Sequence, residues 1–177
     1  MKENKAFQFI GNMPRFDDLL SEVLLLTDQD WSKYTDRKLY GGAAAENTKT
    51  IPLMFDLKNR INSGILHENH ECFSKYIDDV VIAAEGCIGQ VSVKQAMLTK
   101  LDANTVIPTH RDRGPLTEKT HRIHVPVITN NQCVFTVGDE SMNLGAGQIW
   151  VIDNTHRYHG VENKGQQARV HLIIDAI

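Results

Sequence analysis

The sequence predicts a mainly β protein, an antiparallel sandwich or barrel with helices of its N-terminal half packed against it. Three observations lead there. After Gly89 the chain becomes a series of short apolar runs separated by turn residues. Before Gly89 lie two stripes of apolar residues at helical spacing. Of eight histidines, six fall in the later half, at His110, His121, His124, His156, His159 and His171, where barrel strands could gather them around a metal. A chain of 177 residues suits one domain, 1–177, with a helical part at about 1–88 and a β core at about 89–177.

The first helix follows Pro14. Phe16, Leu19, Leu20, Val23 and Leu24 share one face, and Asp17 and Asp18 favour a helix start. Thr50-Ile-Pro-Leu-Met-Phe55 reads as an early strand, with Pro52 requiring a sheet edge. A second helix is expected from about Glu71 to Ala84, where Phe73, Tyr76, Ile77, Val80, Val81 and Ala84 form one stripe. Gly86 and Gly89 end it. Strands are then expected within Gln90 to Leu101, Ile123 to Ile128, Cys133 to Val137, Gln148 to Ile152 and Arg169 to Ile174. Thr129-Asn130-Asn131, Val137-Gly138-Asp139-Glu140 and Leu144-Gly145-Ala146-Gly147 supply the turns.

Composition excludes several classes. The net charge is −3, without the basic excess of a nucleic-acid binder. No apolar run approaches the roughly 20 residues that span a bilayer. Three cysteines, Cys72, Cys87 and Cys133, are an odd number with no close pair, so free thiols and a cytoplasmic location are expected.

The sharpest local feature is Thr109-His110-Arg111-Asp112. Residues two apart in an extended chain point to one side, so His110 and Asp112 can aim a nitrogen and a carboxylate at a common point. That is two thirds of a facial triad, the ligand set that leaves positions open on a non-haem iron. The third ligand would come from a distant strand, and spacing alone leaves His156 and His159 equal. Arg169-Val-His171 repeats the period of two. An arginine on a buried strand needs an anionic partner, and its planar fork fits a carboxylate such as that of a 2-oxo acid.

Several of these pieces stand in a recognisable order: His110-Arg-Asp112, Arg122-Ile-His124-Val-Pro126, Thr129-Asn130, Gly147-Gln-Ile-Trp150, Asp153-Asn154, His159-Gly-Val-Glu-Asn163 and Arg169-Val-His171-Leu-Ile-Ile-Asp175. Residues 106–175 thereby resemble the aspartyl/asparaginyl β-hydroxylase family of Fe(II)- and 2-oxoglutarate-dependent oxygenases, which includes free-proline hydroxylases. The resemblance implies a double-stranded β-helix, a jelly-roll or cupin-like barrel with both sheets contributing to the site. It implies Fe(II) on His110, Asp112 and His159, 2-oxoglutarate clamped by Arg169, and O2 as the oxidant. It puts Arg122 and His124 near the proximal end of the cosubstrate or the substrate, and gives His171 no role. The implied reaction is hydroxylation of an amino-acid side chain, with an amino acid or peptide as partner and neither membrane nor nucleic acid. Asp112 stands where the animal protein-hydroxylating members have glycine, so the chain looks more like the bacterial and free-amino-acid branch.

Two other readings stay beside it. The chain could be a non-enzymatic cupin, or a metal-dependent cupin that uses no 2-oxo acid. Arg169 separates them, because only the oxygenase needs a carboxylate clamp there. His67-x-x-His70-x-Cys72 reads as a polar helix start rather than a zinc site, having no fourth ligand. Arg111, Arg113, Lys119, Arg122 and Arg157 flank the proposed site and could draw in an acidic substrate.

Overall fold

The alternation of inward and outward side chains organises the molecule into three layers: helices, a large sheet and a small sheet. The computed structural model describes residues 5–34, 42–54, 68–114 and 117–177. In chain order these form β1 (Phe7–Asn12), α1 (Phe16–Leu24), α2 (Asp28–Ser32), α3 (Gly42–Glu46), β2 (Thr48–Met54), α4 (His70–Ile88), β3 (Val93–Leu101), β4 (Thr105–His110), β5 (His121–Ile128), β6 (Cys133–Val137), β7 (Glu140–Met142), β8 (Gln148–Ile152), β9 (His159–Asn163) and β10 (Arg169–Ala176). The large sheet has the order β1-β8-β5-β10-β3-β2 and the small one β4-β9-β6-β7, all of their pairings antiparallel. Two facing antiparallel sheets with this interleaved strand order make a jelly roll. The mainly β barrel expected from the sequence is the fold observed.

Strand β10 explains the layering. All eight of its residues are buried, because both faces of the large sheet are covered. Val170, Leu172, Ile174 and Ala176 face the helices, where they meet Leu19 and Val23 of α1 and Phe73, Tyr76, Ile77, Val80 and Ala84 of α4. Arg169, His171, Ile173 and Asp175, on the other face, turn between the sheets. A second apolar cluster fills part of that interior with Leu101, Ile107, Phe135, Val137, Val161 and Ile152. Leu172 is fully buried in the helix-side core. Leu172→Ala is therefore expected to cost about 2–5 kcal/mol, read as a lower urea midpoint.

Helices α1 and α4 and the strands β3, β5, β6, β8 and β10 lie where the apolar patterns put them. Strand β2 is an edge strand, as Pro52 requires. At the opposite edge stands β1, from a segment the sequence left without an assignment. Helix α2 is opened by a capping box: Asp30 N–H donates to Thr27 Oγ1, and Thr27 N–H to the Asp30 carboxylate at 2.8 Å. His70 begins α4, while His67 and Phe55 lie outside the described residues. Among the described residues no helix is long and apolar enough to cross a membrane.

Candidate active site

Strands β4 and β9 of the small sheet pair so that His110 stands opposite His159. Glycine at 160 permits this, since a Cβ there would sit 3.1 Å from the Ile107 carbonyl oxygen across the pair. The chain leaves β4 after His110, and the Asp112 N–H donates to the Asn154 carbonyl at 3.0 Å. This turn brings the carboxylate back toward the two imidazoles. His110, Asp112 and His159 each offer a ligand atom, all within 4.8 Å of one another. Asp112 Oδ1 lies 3.5 Å from His110 Nε2 and 3.9 Å from His159 Nε2. His110 Nδ1 donates to the Pro108 carbonyl at 2.7 Å, which leaves the Nε2 lone pair free for a metal.

Electrostatics treat the three groups differently. Burial opposes the charge of Asp112, but Arg122 and the hydrogen bond with His110 hold its carboxyl well below the usual range. Burial pushes His159 down to about 4, so it is neutral near pH 7. The hydrogen bond with Asp112 raises His110 above the ordinary imidazole value. The other oxygen of Asp112, Oδ2, accepts from Asn154 Nδ2 at 2.8 Å and from Arg122 Nη1. Arg122 in turn grips Asp175 with two bonds, Nε to Oδ1 at 2.7 Å and Nη2 to Oδ2 at 2.8 Å. Strand register sets this up, since Arg122 of β5 faces Asp175 of β10 directly.

A small cavity opens beside the trio, lined by residues of both sheets. The small sheet gives it His110, His159, Phe135, Ile107 and Val161; the large sheet gives Arg122, His124, Arg169, Ile173, Thr48 and Thr99. Arg169 is 2% exposed, yet its polar partner is neutral. Its Nη2 donates to His171 Nδ1 at 2.7 Å, its Cζ lies 5.8 Å from the Phe135 ring, and its Nε has no hydrogen-bond partner. Among the described residues no carboxylate pairs with it. Burial alone pulls the guanidinium down to about 10, still charged near pH 7. Thr99 Oγ1, also buried and without a partner, lines the same cavity.

His124 and His171 continue the network. Their Nδ1 atoms are 3.2 Å apart. Because His171 Nδ1 accepts from Arg169 it carries no proton, and its one lone pair is shared between Arg169 and the approach of His124. Burial, then the Arg169 charge, holds both rings well below the usual imidazole range, so both are neutral. His171 thus supports Arg169, a part that spacing alone did not reveal although it shares the inward face. Asp175 and Asn154, which act on Arg122 and Asp112, were likewise unassigned.

The remaining candidates lie elsewhere. His156 is exposed, bonds Asp153 and stands outside the trio; His121 is exposed as well. A second, wider cleft reaches Asp112 between Arg111, Arg113, Glu118, Thr155 and His156. Arg111 bonds the Thr155 carbonyl there at 2.6 and 2.9 Å. Arg113 and Lys119 are exposed, whereas Arg122 is turned inward to its two carboxylates.

Solved structures share the fold. A 2OG-Fe(II) oxygenase family oxidoreductase from Burkholderia pseudomallei superposes with a TM-score of 0.58 at 10% identity, covering 73% of this chain and 67% of its own. The viral collagen prolyl hydroxylase of Paramecium Bursaria Chlorella virus-1, solved with 2OG, gives 0.59 at 10% identity over 98% and 96%. A prolyl hydroxylase from Trichoplax adhaerens, in complex with a hypoxia inducible factor peptide fragment, gives 0.58 at 12% identity over 97% and 83%. At such identities the likeness is one of fold. The family model for aspartyl/asparaginyl beta-hydroxylase matches residues 80–177, more than half of the chain and the whole of the β core from β3 onward. The chain therefore belongs to the aspartyl/asparaginyl β-hydroxylase family of 2-oxoglutarate-dependent oxygenases.

Proposed function

We propose that the protein hydroxylates an amino-acid side chain, free or in a peptide, with Fe(II) held by His110, Asp112 and His159 and 2-oxoglutarate held by Arg169. The observation that carries this reading is the buried guanidinium of Arg169, which among the described residues has only neutral partners. A buried cation is costly unless a counter-charge meets it. The cavity beside it leads to the candidate metal ligands, so the missing anion is a ligand reaching the metal. Charge balance agrees. Asp112 and Asp175 offset Arg122 and Arg169, and the buried histidines His124, His159 and His171 are neutral. A divalent cation would leave an excess of two positive charges, which a dicarboxylate cancels.

The donor set fits the metal: two imidazoles and one carboxylate suit non-haem iron and leave positions free. When bound, Fe(II) with 2-oxoglutarate and O2 supplies the oxidising power for C–H hydroxylation, with succinate and CO2 as the cosubstrate's products. The chain's own part is placement. Arg169, supported by His171, would take the distal carboxylate by its free Nε and remaining N–H groups, with Thr99 Oγ1 as a further donor. Arg122 and His124 would lie toward the proximal end of the cosubstrate. Phe135, Ile107, Val161 and Ile173 keep water from the cavity wall. The cleft between Arg111 and His156 reaches Asp112 and gives the substrate its approach, where Arg113 favours an acidic group. A cytoplasmic location accords with free thiols at Cys72, Cys87 and Cys133.

Anaerobic titration of the metal-free protein with Fe(II) and then 2-oxoglutarate tests the pairing. A weak visible charge-transfer band is expected only when both are present. Metal binding without such a band would favour a cupin that uses no 2-oxo acid.

A further inference from the structure

We propose that Asp175 is a positioning residue of the metal centre, acting through Arg122 to keep one oxygen of Asp112 open for the metal. The inference rests on the metal-site reading above. Asp112 has two oxygens in different circumstances. Oδ2 is filled by Asn154 Nδ2 and Arg122 Nη1, while Oδ1 faces His110 Nε2 and His159 Nε2. The arrangement offers a metal one carboxylate oxygen, and the division depends on how Arg122 is held.

A guanidinium beside a carboxylate prefers to close on both of its oxygens through a pair of parallel bonds. On Asp112 that closure would cover Oδ1 and block the metal-facing side. Arg122 makes its two-bond closure on Asp175 instead, with Nε and Nη2 at 2.7 and 2.8 Å, and has only Nη1 left for Asp112. Asp175 is fully buried and stands opposite Arg122 in the β5–β10 register, so neither partner has another place to go. Charge acts in the same direction. Without Asp175 the guanidinium would cancel the Asp112 charge; with it, the three groups keep one net negative charge beside the two imidazoles.

A purely structural ion pair between β5 and β10 would predict something different. Replacing a buried pair by apolar residues of similar volume is commonly neutral or stabilising for the fold, but it would not restore the division of labour on Asp112. The test is Mn(II) affinity without cosubstrate, by electron paramagnetic resonance, alongside thermal unfolding. Asp175→Asn, which keeps the shape, is expected to lower Mn(II) affinity 10–100-fold, the range for lost support of a metal ligand. The paired variant Arg122→Met with Asp175→Leu takes the guanidinium from the Asp112 carboxylate, so it is expected to melt below the wild type and to bind Mn(II) 10-fold or more weakly. It decides the matter should Asp175→Asn fail to fold. Wild-type affinity in the folded variants would overturn the role of Asp175 and leave the metal site standing. No Mn(II) binding by the wild-type protein would overturn both.

Discussion

Arg169→Met is expected to remove 2-oxoglutarate binding while leaving the empty protein at least as stable as the wild type. The two effects have one cause. Arg169 holds a full positive charge in the buried interior with an imidazole and a phenyl ring as partners. The folded protein meets that desolvation cost without a salt bridge in return. Its pKa is lowered to about 10, and the sign follows: the cost is present below that value and is relieved as pH rises from it toward the unfolded value. Methionine fills a similar volume without charge, and apolar replacement of buried charges is neutral or stabilising by about 1–4 kcal/mol. Cosubstrate affinity moves the other way. Truncating one partner of a buried charge pair costs about 2–5 kcal/mol, a loss of roughly 30- to several-thousand-fold. Calorimetry with 2-oxoglutarate and urea unfolding of the same variant check both halves. Unchanged binding would remove the clamp, and a destabilised empty protein would mean that Arg169 serves the fold. A stability gain at a functional loss is the signature of a residue kept for its ligand.

The fold was legible wherever one face of an element is apolar and long enough to show its period. Helix α4 and strands β3, β5, β6, β8 and β10 meet that condition. Strands β4, β7 and β9 do not. β9 is His-Gly-Val-Glu-Asn, β4 contains Pro108, and β7 has three residues, so pairing across the small sheet makes them strands rather than any local pattern. The candidate trio was half legible. His110 and Asp112 are neighbours in sequence, but that His159 rather than His156 joins them is a matter of register, following from the pairing of His110 with His159. Arg169, His171 and Asp175 stand two and four residues apart, so their common inward face could be read. Their partners could not. That, among the described residues, Arg169 meets only neutral groups while Arg122 meets two carboxylates depends on which strands flank β10.

Metal is expected to stabilise the wild-type protein, and this stabilisation should vanish on replacing His110, Asp112 or His159 by alanine. A ligand present at 100 times its Kd adds about 2.7 kcal/mol to the folded state. For a chain of this size each kcal/mol moves the melting temperature by about 2–4 °C, so Mn(II) should raise the wild-type midpoint by roughly 5–10 °C. The three variants should show no rise and no succinate release with Fe(II), 2-oxoglutarate and O2. Their metal-free stabilities should differ in an informative order. Asp112→Ala leaves the third bond of Arg122 unmade and takes the acceptor from Asn154, so it is expected to be the most destabilised without metal. His110→Ala removes a half-buried ring and should cost less. Proton competition follows from the same geometry. His159 is neutral well below pH 7, whereas His110 has its pKa raised by Asp112. A proton therefore displaces metal at His110 first, and the midpoint shift should fade as pH drops through the imidazole range rather than near pH 4. A metal-induced rise that survives in all three variants would place the ion elsewhere.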